Sequence, residues 1–326
     1  MSKLLKVSTF YAVIIMILLS LSACGTNDTT SSQKLEEGEP EKMAKNKEED
    51  SAKTRQYTDV LGREVVIPDQ PQRVVALWSV GELLALNTKP VGSTKNLLRF
   101  YSEEEQKDIE IVGEGVMGDY EKVLSLQPDL ILVYAKATAE ELEQYSKIAP
   151  TVATAFFGDP FQTLRDVGEI MNKREQAEQW ITAYQERVEK IRVKAANLKE
   201  QGEKALVIQF ALKDIYLYHS DTFPTIFDAY EFELTDKQKE LQKDEAFAPQ
   251  VVSLELLPEF NADRIFLIVN DDESRAILEN IQSSRIWKDL PAVKNNKVYE
   301  IQNRISTKDV TTLDWALDEV FHLLEQ

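Results

Sequence analysis

Short apolar runs alternate with amphipathic segments along most of the chain, from about residue 73 to the C-terminus. The runs are rich in Val, Ile and Leu, whereas apolar residues in the intervening segments recur at three- and four-residue spacing. This alternation predicts an α/β fold in which helices cover largely parallel sheets. Strands are predicted at 73–77, 90–92, 130–134 and 151–154 in the first half, and at 205–210, 265–269 and 297–301 in the second.

A long helical segment separates these two groups of strands. Between Phe161 and Leu198 the sequence has no proline and one glycine, Gly168, and it carries two successive apolar stripes with a break predicted near 172–174. We therefore predict two Rossmann-like lobes joined by a rigid helix, with a ligand cleft between the lobes. The predicted boundaries are 57–159 for the N-terminal lobe, 160–173 for the linking helix and 174–326 for the C-terminal lobe.

The N-terminus carries an apolar run of a different kind, from Tyr11 to Leu21, which follows Lys3 and Lys6. Positive, apolar and small residues come here in the order of an export signal, and the run is shorter than the roughly 20 apolar residues that span a bilayer. It ends in Leu-Ser-Ala-Cys-Gly, in which Cys24 is the only cysteine of the chain. This segment resembles the lipobox of bacterial lipoproteins, so 1–23 is predicted to be a signal peptide and Cys24 the lipidated residue. An ordinary secretory signal is the alternative.

Residues 24–56 are predicted to form a disordered tether, because the segment is almost wholly small, polar or charged. The whole chain has a formal net charge of −18, and the charges of the tether nearly cancel, so the acidity belongs to the folded part. Such a surface argues against nucleic acid as a partner and against flat docking on anionic lipid. The lipid anchor is therefore the only membrane contact that we expect.

A short internal repeat relates the two halves. Asp119-Tyr120-Glu121 and Ser253-Leu254-Glu255 each open a segment that continues through a helical turn and a proline into a buried strand. Asp119 and Ser253 are predicted N-caps, and a glutamate follows each of them two positions later. A carboxylate in a first turn stabilises a helix by about 0.3–1 kcal/mol, which explains each glutamate singly but not the pairing. We expect the two glutamates to occupy equivalent places on two similar lobes.

From Tyr57 onward the chain resembles the substrate-binding lipoproteins of ABC importers for ferric siderophores, haem and cobalamin. The resemblance is carried, in the order of that family, by the segments 58–63, 67–75, 121–131, 252–255 and 287–299. It implies two α/β lobes joined by one long helix, and a binding protein without enzymatic activity. It also implies that Glu121 and Glu255 meet arginines on the two halves of a membrane permease whose ATPase subunits are cytoplasmic.

Strand ends and the family resemblance together give candidate ligand residues. Tyr134 and Lys136 directly follow a predicted strand, and loops at the C-terminal ends of parallel strands face the cleft in folds of this kind. Aromatic walls with a few cations suit a ferric siderophore, whose iron complex often carries negative charge. The predicted ligand-binding residues are Arg99, Tyr134, Lys136, Phe157, Phe210, Lys213, Tyr218, Trp287 and Arg304. Tyr101, Phe156, Tyr216 and Asn303 are further candidates, and core packing is the alternative for several of the aromatic residues.

Haem and cobalamin are the competing ligands. Met117 and His219 are the candidates for holding haem iron, but the chain has two histidines, which disfavours haem. The sequence contains no His/Asp/Glu set at metal-ligand spacing, no phosphate-binding loop and no hydrolase motif. We therefore expect neither a resident metal, nor a cofactor, nor catalysis. A structural surface lipoprotein is the alternative of another class, although it would not need the paired glutamates.

The mechanism that these features predict is capture without chemistry. A monomer, anchored by lipid at the extracellular face of the cell membrane of a Gram-positive bacterium, binds one ferric siderophore in its cleft. The rigid linking helix permits only modest closure of the lobes. The loaded protein then docks on its permease through Glu121 and Glu255.

Overall fold

The computed structural model describes residues 53–156, 158–243 and 248–326. The predicted signal peptide, the predicted lipidation site at Cys24, most of the predicted tether and Phe157 lie outside the described residues. Within these ranges, no helix combines the length and the apolar character needed to cross a membrane. Strand β1 (Thr54–Thr58) begins inside the segment predicted as tether, because it pairs with β2 (Glu64–Pro68) in an antiparallel hairpin.

The turn of this hairpin is organised by Asp59, which is 5 % exposed. Its carboxylate accepts hydrogen bonds from the backbone N–H groups of Leu61 and Arg63, both at 3.0 Å, and pairs with the Arg63 guanidinium. Arg63 also donates to the carbonyl of Thr151 at 3.1 Å. The motif 58–63 therefore fixes the N-terminal hairpin to the first lobe, and Gly62 supplies the left-handed backbone that the turn needs, with φ 77°.

The first lobe is built on a parallel sheet. Its strands are β3 (Val74–Ala76), β4 (Gly92–Thr94), β5 (Glu110–Gly113), β6 (Leu130–Tyr134) and β7 (Thr151–Thr154), and its helices are α1 (Val80–Ala85), α2 (Lys95–Leu98), α3 (Glu103–Gln106), α4 (Tyr120–Ser125) and α5 (Ala139–Ser146). The strand order is β5-β4-β3-β6-β7, and all neighbours are parallel. β6 and β7 match the predicted apolar runs, since a strand covered by helices on both faces has no polar side.

Two consecutive helices follow, α6 (Pro160–Ile170) and α7 (Arg174–Ala195). The break between them falls where the sequence predicts it, and Asn172 there has a left-handed backbone with φ 55°. α6 packs into the core of the first lobe, for example through Leu164. α7 contributes Ile181 to this core and then Val188 to the core of the second lobe. α7 thus enters both cores, and it lies C-terminal to the predicted link at 160–173.

The second lobe is built on a mixed sheet. Its strands are β8 (Lys204–Ala211), β9 (Asp214–Leu217), β10 (Glu233–Leu234), β11 (Gln250–Val252), β12 (Arg264–Val269) and β13 (Val298–Glu300). The order is β11-β9-β8-β12-β13, with β10 also paired to β8. The centre of this sheet is parallel, as predicted, whereas β9 and β11 are antiparallel to their neighbours. The α/β fold with two lobes is therefore confirmed, with an antiparallel edge in the second sheet.

The helices of the second lobe are α8 (Asp236–Leu241), α9 (Leu257–Phe260), α10 (Asp272–Ser283), α11 (Arg285–Asp289), α12 (Pro291–Lys294) and α13 (Val310–Leu324). Short 3-10 turns cover Ser220–Thr222, Leu254–Leu256 and Asn303–Thr307, and a π turn covers Thr225–Ala229. α13 begins in the core of the first lobe with Val310 and continues in the core of the second with Leu313, Leu317 and Val320. Two helices, α7 and α13, therefore pass from one core to the other.

Candidate ligand-binding site

A cavity of about 370 Å³ lies between the C-terminal ends of the first lobe's strands and the segment that precedes α13. Its volume falls in the range of small-molecule sites, roughly 300–1,000 Å³. The first lobe contributes Trp78 after β3, Tyr134 at the end of β6 and Phe156 after β7. The facing wall is the segment 306–309. Because parallel strands bring their C-terminal ends to one edge of the sheet, side chains from distant parts of the chain meet here.

Three aromatic side chains form one wall of the cavity. The ring centroids of Trp78, Tyr134 and Phe156 are 5.2–5.7 Å apart and mutually tilted, a spacing typical of favourable aromatic contacts. The indole N–H of Trp78 donates to the carbonyl of Ala155 at 3.0 Å, which fixes the orientation of its ring. All three side chains are partly exposed, so they offer a preformed apolar surface to a ligand.

Two cations flank this aromatic wall. The Lys136 ammonium lies 4.3 Å from the ring centroid of Phe156, and the Arg99 guanidinium lies 4.5 Å from that of Phe100. Both cations are exposed, and neither takes part in an ion pair within the part of the chain that the structure describes. A cation held over a ring without a carboxylate partner keeps its charge available for an anionic ligand.

Asp309 organises the facing wall. It is the N-cap of α13, where its carboxylate accepts a hydrogen bond from the backbone N–H of Thr312 at 3.0 Å. The hydroxyls of Thr307 and Thr312 donate to it at 2.8 Å each. The hydroxyl of Tyr101, from the first lobe, also donates to it at 3.2 Å. One buried carboxylate thus holds the α13 N-terminus, the cavity wall and a side chain of the opposite lobe.

A second carboxyl group, Glu82 of α1, is buried beside Asp309 and is 4 % exposed. Burial first, and then the charge of Asp309, raises the pKa of Glu82 to about 8. Glu82 is therefore largely uncharged at neutral pH, so Asp309 is the one charged carboxylate set against Arg99 and Lys308 among the residues that line this cavity. The Asp309 side chain packs directly against α1 at the same place, because a Cβ on Gly81 would overlap the carboxylate of Asp309.

Residues 77–305 match the profile of a family described as periplasmic binding protein. The matched range is more than half of the chain and includes most of the cavity wall and every strand of the two lobes except β3. The chain belongs to the periplasmic binding protein family.

Relatives of this periplasmic binding protein align with it over most of the length of both chains. It is 29 % identical to the probable siderophore-binding lipoprotein YfiY of Bacillus subtilis, over 94 % of this chain and 95 % of the relative. The crystal structure of Staphylococcus aureus SirA complexed with staphyloferrin B superposes with a TM-score of 0.71 at 25 % identity, over 83 % of this chain and 99 % of SirA. A FhuD fold-family component of a ferrichrome ABC transporter from Bacillus subtilis superposes with a TM-score of 0.69 at 27 % identity, over 83 % and 100 %.

The fold brings only some of the sequence-predicted ligand residues to the cavity. Arg99 and Tyr134 line it, and Lys136 lies over one of its rings. Phe210 and Trp287, in contrast, are buried in the core of the second lobe, at 0 % and 4 % exposure. Contrary to the prediction, neither ring is available to a ligand in this structure. Apolar packing against neighbouring core side chains accounts for both of them.

Arg304 is also placed differently from the prediction. It is 8 % exposed, and its guanidinium donates to both carboxylate oxygens of Glu105 at 2.9 and 2.8 Å. It lies between the rings of Tyr101 and Trp315, 5.3 and 5.4 Å from their centroids. Burial alone would raise the pKa of Glu105, but the hydrogen bonds from Arg304 and Ser102 lower it below its usual value. Arg304 therefore ties the lobes together, at the border of a neighbouring cavity of about 710 Å³.

Two predicted residues of the second lobe lie away from the aromatic wall. Lys213 is exposed at the tip of the β8–β9 hairpin and pairs with Glu273 at 3.2 Å. Tyr218 is half-buried and makes an edge contact with Phe223 at 6.1 Å. Among the candidates for haem iron, Met117 packs against the core of the first lobe and His219 lies 2.9 Å from a carboxylate oxygen of Asp221.

Another cavity, of about 940 Å³, runs along α7 on the other side of Lys308. It is larger than the cavity at the aromatic wall, but its chemistry fits an anionic ligand less well. Five carboxylates line it against the cations Arg192 and Lys308, namely Asp159, Glu186, Glu189, Asp221 and Asp228. Both cations are already paired with carboxylates. We therefore assign ligand binding to the cavity with the aromatic wall.

Both repeat glutamates are exposed. Asp119 caps α4 as predicted, by accepting a hydrogen bond from the backbone N–H of Lys122 at 3.0 Å, and Glu121 lies in the first turn of that helix. Ser253 precedes a 3-10 turn and makes no side-chain capping bond, so the second half of the repeat differs. There the backbone N–H of Glu255 and the hydroxyl of Ser253 lower the pKa of Glu255. Each glutamate follows the C-terminal end of a strand, β5 or β11.

Three important site residues were missed by the sequence reasoning: Trp78, Glu82 and Asp309. Trp78 follows β3 just as Tyr134 ends β6, so the rule that found Tyr134 could have found it. Glu82 and Asp309 carry no such signal, because their meeting depends on how α1 packs against α13.

Proposed function

We propose that this periplasmic binding protein is the extracytoplasmic substrate-binding component of an ABC importer, and that it binds a negatively charged ferric siderophore in the cavity at the aromatic wall. The observation that carries the proposal is the pairing of that wall with two cations, Arg99 and Lys136, that have no carboxylate partner among the described residues. In a chain of net charge −18, such cations are expected where an anion binds. The siderophore class is supported by the similarity to YfiY, a probable siderophore-binding lipoprotein, to SirA, which binds staphyloferrin B, and to a component of a ferrichrome ABC transporter.

The two parts of the site act on different parts of such a ligand. Trp78, Tyr134 and Phe156 provide flat apolar surface for the organic arms or rings of a chelator. Arg99 and Lys136 approach the oxygen atoms that surround the iron, where the negative charge of the complex resides. The iron is cargo in this scheme and needs no protein ligand, since the chelator occupies its coordination sites.

Haem is less well supported as the cargo. None of the described residues that line the cavity is a histidine or a methionine, the side chains that commonly hold haem iron. A haem-binding role would have to use different residues from those at the aromatic wall.

The proposal includes a lipid on Cys24 and delivery to a permease through Glu121 and Glu255. YfiY is described as a lipoprotein, and an anchored chain stays near its transporter at high effective concentration. Glu121 and Glu255 are exposed, one on each lobe, and neither forms an ion pair within the described residues. Such carboxylates can define the orientation of docking.

Ligand titration of the purified protein tests the cargo. Quenching of tryptophan fluorescence is measured with a ferric tricatecholate, a ferric hydroxycarboxylate complex, ferrichrome, haem and cobalamin, and a Trp78→Phe variant identifies quenching at the site. We expect the tightest binding for an anionic ferric complex, with most of the quenching lost in the variant. Tighter binding of haem or cobalamin than of every ferric chelate would contradict the proposal.

A further inference from the structure

Each of the two repeat glutamates lies beside apolar side chains that are exposed to solvent. On α4, Tyr120 is 40 % and Leu124 is 57 % exposed, and both flank Glu121 on the same short helix. On the second lobe, Leu212 at the β8–β9 hairpin tip is 74 % exposed and Val251 on β11 is 57 % exposed. Ten large apolar side chains are exposed in the described residues, and these four of them lie close in sequence or strand register to the two glutamates.

Strand register places the hairpin tip next to the Glu255 segment. In the β8–β9 pair Ala211 lies opposite Asp214, so Leu212 and Lys213 form the turn. In the β9–β11 pair Ile215 lies opposite Val252. The C-terminal end of β11 therefore lies beside the hairpin tip. From there the chain continues into the turn that contains Glu255.

The backbone of this hairpin tip is unusual for its residues. Leu212 and Lys213 both have left-handed backbone, with φ 48° and φ 76°. Two-residue hairpin turns of this shape favour Asn and Gly, because side chains with a Cβ are strained there. Leu212 thus sits in an unfavourable conformation with most of its side chain in water. Both features cost stability, so we looked for a role of this position outside the fold.

Carboxylates surround the apolar side chains in both lobes. Near Tyr120 lie Glu140 and Glu141, whose charges add to burial in raising the pKa of the Tyr120 hydroxyl. Near Leu212 lie Asp214 and Glu273, the latter paired with Lys213 at 3.2 Å. A partner for such a surface must be basic and must offer shallow apolar pockets. A second copy of this chain fits poorly, because it would bring carboxylates against carboxylates.

We infer that the apolar side chains beside Glu121 and Glu255, chiefly Leu124 and Leu212, form two anchor points that insert into apolar pockets on the extracytoplasmic face of the permease. This inference rests on the proposed function, which supplies the permease as partner. The glutamates then set the orientation of docking, whereas burial of the leucines supplies much of the affinity, as buried side chains at the centre of an interface commonly do. Each lobe contributes one charged and one apolar contact.

The test measures binding of the full-length chain to the complete transporter in lipid nanodiscs. The chain is loaded with the ferric chelate that binds most tightly in the titration described above. Leu124→Ser and Leu212→Ser are compared with Val193→Ser, a matched control on α7 whose side chain is 78 % exposed. We expect each leucine variant to weaken binding to the transporter about fivefold or more. Val193→Ser should bind like the unaltered chain, and all three variants should keep its affinity for the siderophore. Circular dichroism and thermal unfolding verify that the variants fold.

The glutamate variants separate failure of this inference from failure of the proposed docking. If Glu121→Arg and Glu255→Arg abolish binding to the transporter while both leucine variants bind normally, the anchor points are refuted and docking through the glutamates stands. If the glutamate variants also bind normally, the proposed docking through Glu121 and Glu255 is itself wrong. If a leucine variant instead alters self-association in sedimentation, with transporter binding unchanged, the surface is a contact between copies of the chain and the inference fails.

Discussion

Arg304 and Glu105, 199 residues apart in sequence, form a two-pronged ion pair between the second lobe and the first, with N–O distances of 2.9 and 2.8 Å. The guanidinium is almost fully buried and lies between two aromatic rings, whereas 28 % of the Glu105 side chain is exposed. The geometry matches a planar guanidinium to a carboxylate, which a lysine could not reproduce. The pair fixes the distance between the lobes beside the proposed ligand cavity.

Replacing Arg304 with Met should destabilise the protein, because it leaves Glu105 partly buried without its partner. We expect a loss of about 2–3 kcal/mol in the free energy of unfolding, below the value for a fully buried pair since Glu105 is partly exposed. Urea unfolding measures it. Arg285→Met is the control, because Arg285 is 95 % exposed in its pair with Asp289 and should cost less than about 1 kcal/mol. Equal losses in both variants would refute a special role for Arg304.

Gly81→Ala should be destabilising, because the new methyl group would overlap the carboxylate of Asp309. Separating α1 from α13 to make room disturbs the hydrogen bonds of Asp309, and we expect a loss of about 1–3 kcal/mol, as for other overpacked sites. Thermal unfolding measures it. Gly115→Ala is the matched control, because an added methyl group there meets nothing within 4 Å. A Gly81 variant as stable as the control would contradict this packing.

Glu82 should make the protein less stable as the pH rises. Its pKa is raised from an ordinary value of 4.5 to about 8 by burial and by the charge of Asp309. Between these two values the unfolded chain has released the proton and the folded chain has kept it, so the free energy of unfolding falls with pH across this window. Tyr101, which faces the same site and donates to Asp309, stays protonated throughout, since burial raises its pKa well above the ordinary value.

Unfolding curves at several pH values between 4.5 and 9 measure this effect. Glu82→Gln should show a flatter dependence and should gain stability over the unaltered chain as the pH rises. Identical pH profiles for the two proteins would show that Glu82 does not hold a proton in the folded state.

Arg99→Gln and Lys136→Gln should each weaken binding of an anionic ferric siderophore, because each removes an unpaired cation beside the aromatic wall. We expect a loss of about tenfold per substitution, equivalent to about 1.4 kcal/mol. Isothermal titration at low and high salt measures it, and the loss should shrink as salt screens the charges. Lys190→Gln, an exposed lysine on α7, should have no effect. Undiminished affinity in both cavity variants would place the ligand elsewhere.

Charge reversal of Glu121 or Glu255 should reduce uptake and leave ligand binding intact. The carboxylates are exposed and lie outside the cavity, so Glu121→Arg and Glu255→Arg change the charge that a permease meets without changing the cavity. Uptake of radioactive iron by cells of a complemented deletion strain measures the first effect, and titration of the purified variants the second. Normal transport with impaired ligand affinity would contradict the assignment of Glu121 and Glu255 to docking.

Much of the fold could be predicted from the sequence, because β6, β8 and β12 are largely apolar runs and such runs have few alternatives to a buried strand. β9 and β11 could not be predicted, since strands of four and three residues are too short to give that signal. Phe210 shows a further difficulty, because it lies near a strand end as predicted. Side chains alternate along a strand, and its position places it with Leu206 and Ile208 in the core.

The candidate site was less predictable than the fold. A single residue after a strand, such as Tyr134 or Lys136, can be assigned to the cleft by local rules. Arg304 could not be assigned correctly in this way. An arginine that follows a strand gives the same signal in the sequence whether its partner is a ligand or Glu105. The Glu82–Asp309 contact is of the same kind, since it arises from the packing of two helices more than 200 residues apart.

The passage of both α7 and α13 between the two cores has a consequence for thermodynamics. A single connecting helix leaves the lobes free to twist about its axis, whereas two connections at separate points remove that rotation. The width of the cleft is then set during folding, and the ligand has little further conformational entropy to remove when it enters. We therefore expect nearly the same radius of gyration with and without ligand, so that the permease must recognise the loaded protein by local differences at the rim of the cleft.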